Sequence, residues 1–226
     1  MKEFDNIKIS QITELLNENT TLEKFYFLIP IREMLINSLL DAGITDKYMF
    51  LEAAGDSVEE LAEKTGIDIK ALKEFEKFLH LHDFINRKLS DIKSVKQECI
   101  KTLIENGIRY SKDYLLLCMD QNSAAISDRF GIASADAKRL FSLCDLMRLP
   151  GVKDIRSNLY YDCGYKSLQI FSVQNAADMR QQIRDYITKN NMNKMVPLFK
   201  ELSTQIAVAK VLPHLNMSLD TFDITD

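Results

Sequence analysis

The sequence predicts an all-α protein, on three observations. Only 7 Gly and 4 Pro occur in 226 residues, too few for the many tight turns of a β-sandwich. Apolar residues recur at three- and four-residue spacing through most of the chain, and no stretch alternates apolar and polar with β-branched enrichment. Helix ends of one type recur, each with two apolar residues, a polar or small pair, then Gly and a hydrophobe: LLDAGI (39–44), LIENGI (103–108) and YYDCGY (160–165).

Taken in order, residues 1–20 hold a short amphipathic segment with Ile9, Ile12, Leu15 and Leu16 at helical spacing. Residues 22–42 form a strongly apolar helical run that Pro30 should bend or split, because proline lacks the N–H and clashes with the preceding turn. Gly43 should close it. Ser57, with Glu60 three residues on, has the spacing of a capping box. Asp68 and Ser134 should cap the next strong helices, which carry Leu72, Phe75, Leu79 and Phe84 in one case and Leu140, Phe141, Cys144 and Met147 in the other. Helical segments follow Gly164, polar residues 189–193 break the chain, and a last helix near 195–212 ends before Pro213. Residues 214–226 read as a frayed acidic tail.

The landmarks recur in order. After the first two Gly-ended helices come EKTGID (63–68) and DRFGIA (128–133), then LHDFIN (81–86) and LCDLMR (143–148). This predicts an internal duplication of 62–65 residues in stacked helical units. The expected organisation is an N-terminal extension (1–30), a first, degenerate repeat (31–118), a second repeat (119–190), a closing helix (191–213) and the tail (214–226). The connection between the copies, NRKLSDIKS, should have lost the tight turn that the second copy keeps as LPGVK.

Composition limits the function. No apolar run approaches the ~18 residues of a membrane span, and the N-terminus is too polar for a secretory signal, so a cytoplasmic location and no membrane partner are expected. The four cysteines have no CxxC pair and should be reduced, packed thiols. His80 and His82 are two apart and cannot share a metal as an i,i+4 pair does, and no metal or cofactor is expected. No nucleophile motif is visible, and the chain is expected not to be an enzyme. Charge is asymmetric: residues 1–79 hold 9 Lys and Arg against 16 Asp and Glu, and residues 80–219 hold 20 against 14. A basic half permits a polyanion partner.

Residues 143–168 carry a resemblance. A helix, the turn Leu149-Pro150-Gly151-Val152, then a helix with Ser157 at a small position and Tyr160 and Tyr161 as packing residues, ending at Gly164, resembles the helix-hairpin-helix family. The tandem arrangement is similar to the bacterial family called domain of unknown function 4332, over about residues 35–190. The resemblance implies a turn whose backbone N–H groups meet a phosphate at a helix N-terminus, with Arg148, Gly151, Val152, Lys153 and Arg156 as the nucleic-acid-binding residues. The family's second turn Gly falls here at Lys153, a departure from its pattern that still supplies an N–H and adds a positive charge. Contact would be to the backbone, salt-sensitive and indifferent to sequence. The other expected role is a protein-interaction scaffold using apolar surface from residues 25–40 or the Met-rich end.

Overall fold

The computed structural model describes residues 4–215 and 217. Among them there is no β-strand, only two isolated bridges, and the all-α reading holds. Two compact units form. The first joins residues 4–84 to Ser172–Pro213; the second joins Ile85–Phe171 to the described residues from His214 onward. These units are not collinear with the five segments read from the sequence, since the N-terminal segment and the closing helix share one unit.

In the first unit, Ile9–Glu14 is a 3-10 helix that buries Ile9 and Ile12, with Leu15 and Leu16 buried just beyond. Pro30 splits the apolar run: a 3-10 helix Glu23–Leu28 precedes α1 (Arg32–Asp41). Helix α2 (Lys47–Thr65) breaks at Ser57, whose backbone is extended and whose hydroxyl accepts the Glu60 N–H at 3.1 Å. Helix α3 (Ile69–His80) starts at Asp68, which takes the Lys70 and Ala71 N–H groups. Its Phe75 and Phe78 pack with Phe50 and Phe25, all four buried. Helices α10 (Ala176–Lys189) and α11 (Phe199–Val211) complete the unit, and α11 packs against the first 3-10 helix.

The second unit holds α4 (Gln97–Glu105), α5 (Ser111–Asp120), α6 (Ser123–Phe130), α7 (Ser134–Leu146), α8 (Asp154–Asp162) and the short α9 (Leu168–Ser172) up to Phe171. Its core gathers Tyr114, Leu140, Phe141, Leu143, Cys144 and Tyr160.

The same local bonds recur in both units. The residue after each helix-ending glycine donates back one turn: Ile44 to Leu39, Ile108 to Leu103 and Tyr165 to Tyr160, each at 2.9 Å. This 6→1 closure needs a left-handed residue between, and Gly43, Gly107 and Gly164 have φ of +80°, +88° and +94°. Beside each of the first two, a short antiparallel bridge forms. Ile9 N–H meets Thr45 C=O and Lys47 N–H meets Ile7 C=O; in the second unit Leu89 meets Arg109 and Ser111 meets Arg87.

Three expectations are corrected. Ser134 is the first helical residue rather than the cap; Ala133 occupies the cap position, and the Ser134 hydroxyl is spent on Ser123 at 2.9 Å. The last helix begins at Phe199, where the Glu201 carboxylate accepts the Leu198 N–H, not near 195. At the tail, Leu215 and Met217 are buried rather than frayed, while residues 218–226 lie outside the described residues.

Candidate functional site

The turn at residues 147–153 is anchored on both sides by burial. Helix α7 is buried all round at its end, with Leu143, Cys144 and Leu146 and, just beyond, Met147 and Leu149 shut in, so the chain enters the turn from inside the unit. Asp145 and Arg148 are buried with it and joined at 2.6 Å, their side chains only 1% exposed. The second Asp145 oxygen accepts the Leu168 N–H at 3.0 Å, fixing the start of α9 to the end of α7. Arg148 is therefore not on the turn's surface: the expected phosphate contact is a core ion pair. Without a carboxylate three residues back, a guanidinium could not be buried there at tolerable cost.

Past the turn the chain faces solvent. Gly151 is exposed with φ +74°, and a Cβ built on it would meet nothing within 4 Å. Val152 is fully buried and pins the turn. Lys153 is exposed and holds the cap position of α8; no side chain caps this helix start. The Lys153 carbonyl accepts from Arg156 and Ser157 at 3.0 and 2.9 Å. Ile155 is 71% exposed, and the half-buried Arg156 guanidinium lies 6.0 Å from the Tyr160 ring.

A second uncapped helix start stands next to it. In Ile92-Lys93-Ser94-Val95-Lys96, Ile92 and Val95 are buried, Lys96 holds the cap position of α4, and again no side chain caps the helix. Val95, Lys96 and Gly107 each lie 57 positions before Val152, Lys153 and Gly164. The Lys93 N–H donates to Asp154 Oδ2 at 2.9 Å, which sets the two turns side by side. The tight turn itself is not repeated, as the sequence predicts: Val152 N–H closes on the Leu149 carbonyl at 3.2 Å around Gly151, and among the described residues no such bond joins Val95 to Ile92. Lys93, Lys96, Lys153 and Arg156 thus share a neighbourhood with Asp154 and with Asp136, which pairs Lys96 at 3.1 Å. Lys93 was missed as a site residue. The match of IKSVK to LPGVK was its only signal.

Arg139, Arg129 and the tyrosines of α8 are engaged within the unit. Arg139 pairs with Asp162 at 2.8 Å, also bonds Asn158, and lies 4.4 Å over the Tyr161 ring, whose surroundings include Lys166 at 5.8 Å. Arg129 sits over Phe130. Tyr160 is buried edge-on to Phe171 at 5.1 Å, so it packs the unit and offers no face to a base.

Nucleophiles are sparse. Cys99, Cys118 and Cys144 are buried free thiols, and Cys163 is half-buried. Burial, with the Asp136 charge adding to it, pushes the Cys99 thiol up to about 11, and burial likewise raises Cys118 and Cys144, so these three stay protonated. Among the described residues no group of three His, Cys, Asp or Glu is placed to hold a metal ion. Among them, too, no helix is long and apolar enough to cross a membrane.

The family described as domain of unknown function (DUF4332) matches residues 93–212, more than half of the chain, and the chain belongs to that family. The match begins at the Lys93 turn and runs through α11, starting later and ending later than the resemblance read from the sequence. No curated protein and no solved structure matches the chain.

Proposed function

We propose that this protein is a non-enzymatic binding module of tandem helix-hairpin-helix-like units that contacts the phosphate backbone of nucleic acid. The observation that carries the reading is the pair of uncapped helix starts, α4 and α8, side by side with Lys93, Lys96, Lys153 and Arg156 around them. Backbone N–H groups of a first helical turn have no partner inside the helix, and the helix dipole favours an anion there. Gly151 leaves its side of the turn open. The site reads charge and shape, since the neighbouring tyrosines are committed to packing. An internal duplication goes with this reading, supported by the recurring glycine closures and bridges. So does a cytoplasmic, bacterial setting.

The test is fluorescence anisotropy of a labelled duplex at low and moderate salt. Wild type should bind at low salt and weaken steeply as salt rises. Lys153→Glu/Arg156→Glu should bind at least ~10-fold more weakly, with a salt slope shallower by roughly two, as two lost phosphate contacts imply. Binding that the double variant leaves unchanged contradicts the proposed site.

A second reading, a protein-interaction scaffold, is favoured by one observation in the first unit. Met195, Leu198 and Phe199 are 83%, 68% and 51% exposed, and Lys200, the next residue, bonds the Tyr26 hydroxyl at 3.2 Å beside exposed Phe27. Leu198→Ser/Phe199→Ser should leave nucleic-acid binding untouched and abolish capture of a protein partner if the scaffold reading holds.

A further inference from the structure

We propose that residues 80–84, the last segment of the first unit before Ile85, form a latch that acid releases through His82. Lys47, the first residue of α2, is fully buried. Its ammonium donates to Asp5 at 2.9 Å, Asp83 at 2.7 Å and the His82 carbonyl at 3.5 Å. Asp5 also takes the Tyr48 hydroxyl and, at 2.9 Å, the Phe84 N–H. The N-terminal segment, α2 and the 80–84 segment are thus tied by one buried cation and two carboxylates.

His82 is the weak member. Its ring stands edge-on to Phe78 at 5.2 Å, and both ring nitrogens are closed off from solvent with no hydrogen-bond partner. A neutral imidazole can be kept so; an imidazolium needs two acceptors and would sit near the Lys47 cation. The charges acting on it are Lys47 from α2 and its neighbour Asp83, and Phe78 from α3 packs against its ring. Asp83 offers negative charge, but its oxygens already carry Lys47 and, at 2.8 Å, His80. Burial first, then the Lys47 charge, outweigh Asp83 and lower the His82 pKa from 6.5 to about 4.

The direction of the pH effect follows. The open segment has an ordinary histidine and takes the proton more readily than the closed one. Closure is therefore fully favoured above about 6.5 and weakens as pH falls towards about 4, where the closed form also protonates. Across that window the opening constant should rise by up to roughly tenfold per pH unit.

The experiment is amide hydrogen exchange of the full chain from pH 7.5 to 4.5, read as protection factors corrected for intrinsic rate, in wild type and His82→Phe. Wild-type Phe84, whose N–H is held by Asp5, should lose protection steeply below pH 6 while core amides of α3 keep theirs. His82→Phe, which retains an aromatic ring against Phe78 and cannot titrate, should hold Phe84 protection flat over that range. Equal losses in the two proteins, no loss in wild type, or a loss shared by all core amides each overturn the proposal. If His82→Phe does not fold, NMR titration of the wild-type ring decides: a transition near 4 that coincides with complete loss of Phe84 protection supports the latch, and an ordinary transition near 6.5 without that loss overturns it.

Discussion

Asp145→Ala should destabilise the protein by about 3–5 kcal/mol, the usual effect of removing one partner from a buried ion pair. Asp145 and Arg148 are joined at 2.6 Å with both side chains shut off from solvent, and the same carboxylate holds the Leu168 N–H. The loss is therefore double: a buried guanidinium loses its carboxylate, and the α9 start loses its tether to α7. For a chain of this length about 3–5 kcal/mol corresponds to a fall of roughly 6–20 °C in melting temperature. Calorimetry measures it. Arg148→Met should give a smaller but clear loss and, at a temperature where it is folded, should leave the salt slope of nucleic-acid binding unchanged. A selective loss of binding with wild-type stability would instead put Arg148 back on the binding surface.

Lys47→Met should cost a similar amount, about 3–5 kcal/mol, because Asp5 and Asp83 would face each other without the cation between them. Burial alone would raise the Asp5 carboxyl; hydrogen bonds from Tyr48, Lys47 and Phe84, with the Lys47 charge, outweigh it and hold the pKa below its ordinary 3.8. A lowered carboxylate pKa contributes stability above 3.8 that is lost as pH falls through the folded value. Urea unfolding at pH 7 should show the full cost of Lys47→Met and a smaller one near pH 3. The double variant Lys47→Met/Asp5→Asn should be less destabilised than the sum of its single changes, since the two residues share one interaction. Strict additivity would contradict the contact.

The cluster and the turn differ in how far the sequence discloses them. The Gly-ended helices, the Pro30 split, the Ser57 and Asp68 caps and the Val152 pin are local: each depends on residues within one turn, and each was legible. The 3-10 form of Ile9–Glu14 was not, because over six residues a period of 3 and one of 3.6 place the same apolar side chains inward. Ser134 misled because a hydroxyl before an apolar run can cap or can bond elsewhere, and Ser123, eleven residues back, took it. Arg148 misled because a charge beside a Pro-Gly turn reads as surface; its partner Asp145 was visible three residues away, but its burial was not. Lys93, Lys47 and Asp5 acquire their roles only through contacts across 61 and 42 positions, which no local pattern announces.

The central claim is that the paired turns before α4 and α8 meet phosphates, and amide chemical-shift mapping with a short duplex at low salt tests it most directly. The account predicts perturbations concentrated in residues 92–97 and 150–156, fading together as salt is raised. Perturbations confined to residues 22–27 and 195–199, or none at low salt, would contradict it.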